Sequence, residues 1–240
     1  SWNGSDAQLW RFVDAGDGKY YIQSKLGTVL DVTSASAAAG TNVQTYTFNQ
    51  STAQKWTLLE TEKTLYSIMG KTNVSVSQMV KFYKNKATVS YPYSNVSEAP
   101  TIEKFCQIYK EESEVEGVKA EVAFAQAMME TGFLKFGGDV KKDQYNFAGI
   151  GAIGGGSSGA KFDSIRIGIR AHVQHLKAYA SKEALKQPVV DPRFQYVKRG
   201  SAEYVQWLGQ KENPNGYGWA TAKNYGNNIV KLYILPMKKY

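Results

Sequence analysis

In this 240-residue chain the group best suited to do chemistry is a carboxyl at the end of an apolar helix. The stretch AEVAFAQAMMETGFLKFGG, residues 120–138, predicts a helix that Gly132 stops, with Glu130 in its last turn. A helix C-terminus carries partial negative charge, and a carboxylate seldom faces apolar surroundings without a partner. Both effects raise a pKa. Steps of three, four and seven residues back along the helix put Glu130 beside Ala127, Gln126 and Ala123, a face without a cation. A carboxyl that keeps its proton near neutrality is suited to protonating a leaving oxygen, as glycosidic cleavage requires. That reaction also uses a second carboxylate to activate water or steady an oxocarbenium-like transition state. The competing reading is a frayed terminal Glu pointing into water.

Other chemistries find little support. GIGAIG, residues 149–154, matches the G-x-G-x-x-G string, but it follows QYNFA rather than a buried strand and precedes GGSSGAKF rather than a helix. It reads as a loop in which glycine admits unusual backbone. HVQH sets His172 and His175 three apart on one helix; with no third ligand nearby they read as helix-surface histidines, and no metal site is expected. The single cysteine, Cys106, shares a face with Ile102, Phe105 and Tyr109 and reads as a buried structural thiol. One cysteine excludes an intramolecular disulfide and leaves the redox compartment open. Neither a Gly-x-Ser-x-Gly elbow nor a phosphate loop occurs. No cofactor is expected.

The net charge of +8 is uneven: residues 1–60 hold four Lys/Arg against five Asp/Glu, leaving 25 against 16, or +9, for residues 61–240. A basic surface favours a polyanionic partner. No segment approaches the roughly 18–20 apolar residues needed to cross a bilayer, no membrane partner is expected, and nucleic-acid binding has no supporting motif. A monomer is expected. Because the chain begins with Ser1, it is expected to be a processed or excised piece.

The elements that must position Glu130 come in two styles. Residues 1–62 read as all-β: KYYIQS, TVLDVTS and NVQTYTF are β-branched and aromatic runs separated by turn residues. Within them QLW at residues 8–10 recurs as QKW at 54–56, a period of 46 residues. With GTVLDV and AAAGTNVQTY between, this resembles the ricin B-type lectin repeat, a β-trefoil unit. That resemblance implies that Trp10 and Trp56 pack in a core and that Asp31 and Asn49 form a sugar site. Over residues 63–99 the pattern turns helical: Val76, Met79, Val80 and Tyr83 recur at helical spacing behind Ser75 and Ser77, and NKATVSYPYSNVSEAP follows as a connector. Over residues 100–240 Thr101 caps one helix that Gly117 ends, and Val118 opens the next. IRIGIRAHVQHLKAYAS, GSAEYVQWLGQ and AKNYGNNIVKLYIL read as further helices. The Gly-rich stretch between Phe136 and Ser164 suits loops and a small hairpin. The class is α+β, mainly helical with a small β or loop lobe.

VAFAQAMMETGFLKFGG, YNFAGIGA, GIRAHVQHLKAYAS, DPRFQYVKRGSA and GYGWATAKNYGNNI together resemble the glucosaminidase domain of glycoside hydrolase family 73, as in bacterial wall autolysins and phage lysins. The resemblance implies a lysozyme-like fold and hydrolysis of the β-1,4 bond after N-acetylglucosamine in peptidoglycan. It makes Glu130 the general acid and Tyr225 the active-site tyrosine, with Gln126, Tyr145, Asn146, Phe147, Tyr217 and Trp219 along the cleft. For the second carboxylate, Asp139, Asp143 and Asp163 are candidates. Asp163 is preferred because AKFDSIRIG puts it where the lobe returns to the helical body, although an Asp capping the next helix is an equal reading. The implied partners are peptidoglycan strands and anionic wall polymers, and the implied location is secreted, at the cell wall. A wall-binding protein with a decayed hydrolase domain, or a muramidase, is the alternative.

Overall fold

The computed structural model describes residues 3–58, 65–152 and 159–240 and divides into two compact units, 1–64 and 65–240. The boundary expected after residue 62 and residues 153–158 of the Gly-rich stretch lie outside the described residues. The chain is α+β: an antiparallel sheet in the first unit, helices in the second.

In the first unit β1 (Trp10–Asp14), β2 (Lys19–Ser24), β3 (Val29–Val32) and β4 (Val43–Tyr46) pair in that order, and β5 (Trp56–Thr57) joins the Lys19 end of β2. The 46-residue repeat is structural. The amide N–H of Asn3 donates to Gln8 Oε1 (2.7 Å), as that of Asn49 does to Gln54 Oε1 (3.0 Å), and Ser5 and Ser51 each donate from the backbone to the Asn side chain before them. One expectation is corrected: Trp10 is 40% exposed and does not pack in a core. Asp31 is buried, and its two oxygens accept from the amides of Gln44 and Gln54. Asn49 is exposed, but its Oδ1 is taken up within its own turn.

In the second unit α1 (Val76–Lys86) starts at a capping box in which Ser75 and Gln78 bond each other's backbone. In α2 (Ile102–Glu116) the Thr101 hydroxyl accepts from the backbone of Lys104, and Gly117 closes the helix in the left-handed region. The helix α3 (Ala120–Thr131) is buried on every side from Ala120 to Met128, where Glu121 and Gln126 are the only polar side chains. It begins two residues later than expected. Glu121 in its first turn is buried, accepting from the Tyr66 hydroxyl (2.7 Å) and from the backbone of Asn73, at the end where a helix favours an anion. Around α4 (Ile165–Ala180), Glu112 of α2 bonds both Arg166 and Arg170. Burial pushes the Glu112 pKa up, but the bonds from Arg170, Arg166 and Gln187 outweigh it and the net shift is downward. That network therefore stabilises the fold above the ordinary carboxylate range and is lost as pH falls through the lowered value. Lys177 and Glu116, both wholly buried, pair at 2.9 Å.

GSAEYVQWLGQ does not form the expected helix. The backbone of residues 203–205 pairs with that of residues 66–68, leaving only a 3-10 turn at Val205–Leu208. No strand occurs among the described residues of the Gly-rich lobe, which is held by side-chain amides. Asn146 donates to the carbonyls of Ile150 and Ala160 and accepts from the backbone of Ile150.

Against this lobe α4 packs with no room for a side chain at Gly168, where a Cβ would stand 1.8 Å from the Tyr145 carbonyl oxygen. Helix propensity favours Gly168→Ala by about 1 kcal/mol, whereas the clash costs about 1–3 kcal/mol or more. Denaturant unfolding is expected to show a net loss of stability.

Candidate active site

Glu130 sits at the penultimate position of α3, and the chain leaves that helix with left-handed backbone at Gly132, Phe133 and Leu134. Such conformations cost non-glycine residues energy. They are held by packing: Leu134 is buried, Phe133 stacks on Tyr233 with ring centroids 5.6 Å apart, and the Thr131 hydroxyl donates to the Ala127 carbonyl while accepting from the Leu134 backbone. The turn brings Phe136, Gly138, Asp139 and Val140 around with Glu130 to line a hollow of about 280 Å³, which Asn146, Gly149 and Ala152 complete.

Within this hollow Glu130 is exposed, yet it is tied on its inner side: the Tyr225 hydroxyl donates a short hydrogen bond to Glu130 Oε1. Tyr225 opens α5 (Tyr225–Asn228), which lies so close to the 3-10 turn before it that a Cβ on Gly226 would meet the Val205 carbonyl oxygen at 1.9 Å. The tyrosine is thereby fixed. Its oxygen also accepts from Gln126 Nε2 (2.8 Å). Protein around the Glu130 carboxyl raises its pKa above the ordinary Glu value, and the Tyr225 bond opposes that rise without cancelling it. Burial, and then the Glu130 charge, drive the Tyr225 pKa far up, so Tyr225 is a neutral donor. An acid exposed to a hollow, raised in pKa and braced by a neutral hydroxyl can deliver a proton to a bound oxygen.

Residues 106–234, more than half of the chain, match the family model described as mannosyl-glycoprotein endo-beta-N-acetylglucosaminidase. The chain belongs to this glucosaminidase family of glycoside hydrolases. Residues 6–89 match a ricin-type beta-trefoil lectin domain-like model. An uncharacterized protein of Borreliella burgdorferi is 46% identical over 132 residues, 55% of this chain and 61% of that protein, so the chain spans about three-fifths of this curated relative. Among solved structures the chain is similar to S. aureus autolysin E. A catalytic mutant in complex with the disaccharide NAG-NAM gives a TM-score of 0.48 at 17% identity, covering 79% of this chain and 82% of that one. The complex with the muropeptide NAM-L-Ala-D-iGlu gives 0.46 at 18%, with the same coverage.

The structure brings Glu130, Tyr225, Gln126 and Asn146 together and leaves others apart. Asp163 is exposed and lines no part of the hollow. It does not cap α4 either, since the Ser164 hydroxyl accepts from the Ile167 backbone. The acid that shares the hollow with Glu130 is Asp139. Phe147 is wholly buried against Phe105 and Tyr109 and does not line the hollow. Tyr145 packs on Tyr93, with its carbonyl on α4. Tyr217 is an exposed ring under the Lys198 ammonium (3.8 Å) and does not line the hollow that holds Glu130. Trp219 lies against His175 (4.6 Å between rings) and lines a second hollow of about 240 Å³ with Tyr179, Arg193 and Tyr196. Gly149 and Ala152 border both hollows.

His172 is not on the surface, whereas His175 is partly exposed and lines the second hollow. His172 is wholly buried between Tyr109 and Gln126, and His175 Nδ1 pairs with Asp191 at 2.6 Å. One signal was available, because Ile165, Ile169, His172 and Leu176 fall on one helical face, the buried one. No group of three or more potential metal ligands occurs among the described residues.

The raised Glu130 pKa has a stability consequence. A carboxyl whose folded pKa exceeds its unfolded value destabilises the fold once pH rises past the unfolded value, near 4.3. Thermal unfolding should therefore show Glu130→Gln more stable than wild type at pH 7, with the difference vanishing on acidification below about pH 4.

Proposed function

We propose that the chain is a peptidoglycan hydrolase, an endo-β-N-acetylglucosaminidase that cuts the β-1,4 bond after N-acetylglucosamine, and that it acts outside the cell at the wall. The observation that carries this reading is the Glu130–Tyr225 hydrogen bond at the edge of a hollow that also holds Asp139. Glu130 protonates the leaving oxygen as the glycosidic bond opens toward an oxocarbenium-like state, and the Asp139 carboxylate steadies that positive charge or takes a proton from the attacking water. Tyr225 hydrogen-bonds the carboxylate that Glu130 becomes. Trp219 and Tyr179 in the neighbouring hollow cover apolar sugar faces. The excess of +9 on residues 61–240 draws the enzyme to anionic wall polymers. No helix among the described residues is long and apolar enough to cross a membrane.

Digestion of purified cell wall, with chemical identification of the new reducing ends, tests this. N-acetylglucosamine ends are expected; muramic-acid ends would make the protein a muramidase. Pelleting with wall without release of muropeptides would leave only a binding protein. Glu130→Gln should lower the rate by about 10²–10⁴ and Asp139→Asn substantially, while Asp163→Asn stays near wild type. Pelleting should weaken as salt rises toward about 1 M, where charges are screened beyond roughly 3 Å.

A further inference from the structure

A chain of buried side chains runs from the core to Glu130. The Tyr109 hydroxyl on α2 lies 3.2 Å from His172 Nδ1 on α4, and His172 Nε2 lies 3.0 Å from Gln126 Oε1 on α3. Gln126 Nε2 then donates to the Tyr225 hydroxyl, which donates to Glu130 Oε1. Tyr109, His172 and Gln126 have no solvent exposure, so their polar atoms must find partners in the protein.

Donor rules fix the direction of this chain. An ionised carboxylate only accepts, so the one Tyr225 hydroxyl hydrogen points to Glu130 and the Tyr225 oxygen accepts from Gln126. The Gln126 oxygen then faces His172, whose Nε2 bears the hydrogen. Burial first, and His175 second, lower the His172 pKa to about 3, so the ring is neutral, Nδ1 is bare and Tyr109 donates to it. Reversal would require the Gln126 amide to turn over, His172 to change tautomer and Tyr109 to become an acceptor. The Tyr109 hydroxyl hydrogen would then be stranded, because among the described residues its one hydrogen bond is to His172. A buried donor without an acceptor is costly.

We propose that Tyr109, His172 and Gln126 are positioning residues that keep Glu130 Oε1 an acceptor in both protonation states, so that the proton of the acid form is carried by Oε2. This inference rests on the reading of Glu130 as the general acid. In the step, the O–H bond at Oε2 breaks as a new one forms on the glycosidic oxygen, and the C1–O bond breaks with its electron pair going to that oxygen. The carboxylate left behind keeps the Tyr225 hydrogen bond, and Tyr225 keeps its own proton. The other titratable groups facing this chain are Asp139 in the hollow, Tyr233 toward Glu130, Tyr179 toward Tyr225, His175 toward His172, and Tyr93 and Cys106 toward Tyr109.

Tyr109→Phe removes one oxygen and keeps the packed ring. Its kcat should fall about tenfold, with KM changed by less than about twofold. The basic limb of its kcat/KM profile should move up by about half a pH unit or more, because a weaker donor supports the carboxylate less and the acid form is free to place its proton on Oε1. A slower enzyme with a larger protonated fraction is not what simple loosening of the core produces. Gln126→Met should behave in the same way and serves if Tyr109→Phe fails to fold, while His172→Gln, which keeps a donor facing Gln126, should recover most of the rate. Wild-type kcat and an unmoved limb in a folded Tyr109→Phe or Gln126→Met protein, with Glu130→Gln inactive, would overturn this inference alone. An active Glu130→Gln would overturn the reading beneath it.

Discussion

The hydrogen bond from Tyr225 to Glu130 is the constraint on which the site depends. A carboxyl exposed to a hollow at the C-terminal end of an apolar helix has two failings as an acid: it can swing into water, and nothing fixes which oxygen faces the substrate. The tyrosine addresses both. It donates to one oxygen, and its own burial keeps it neutral, so it braces the carboxyl without adding a charge that would drag the pKa down as an arginine would. The result is an acid raised by its surroundings yet held in one orientation.

Much of the rest of the second unit follows from placing those two side chains together, since they are 95 residues apart in sequence. α3 can end where it does only because three successive left-handed residues, held by the burial of Leu134 and the stacking of Phe133, turn the chain back over the hollow. Tyr225 can reach only because Gly226 lets α5 touch the backbone at Val205. The lobe stays in place because Asn146 bonds Ile150 and Ala160, and because Gly168 admits the Tyr145 carbonyl against α4. Local strain and close approach are tolerated at this site because four helices joined through Tyr109, His172, Gln126 and Tyr225 leave few alternatives.

What was legible in the sequence follows the same physics. Thr101, Gly117, Ser75 and Gly132 marked helix ends because caps and left-handed stops act within a few residues, and Glu130 stood out because an acid in an apolar helix is locally anomalous. Tertiary terms were hidden. Asp163 and Asp139 are both acids in a Gly-rich lobe, and only the left-handed turn after α3 brings Asp139 into the hollow. Phe147 stands beside Asn146 in the same motif but points into the core, a difference that the irregular backbone decides. In the sequence His172 reads as a surface residue because its partners, Tyr109 and Gln126, lie 63 and 46 residues away on other helices. GSAEYVQWLGQ carries helical spacing, yet the backbone at 203–205 is drawn into pairing with residues 66–68.

The Glu130 carboxyl holds its proton above the ordinary range against the pull of a neutral tyrosine donor. Carbon-13 NMR of the Glu130 side-chain carboxyl, followed across pH in the wild type and in Tyr225→Phe, measures it without any substrate. The midpoint should lie above the free Glu value of about 4.3 and rise further when the hydroxyl is removed. A midpoint at or below that value, or one that falls in Tyr225→Phe, would contradict it.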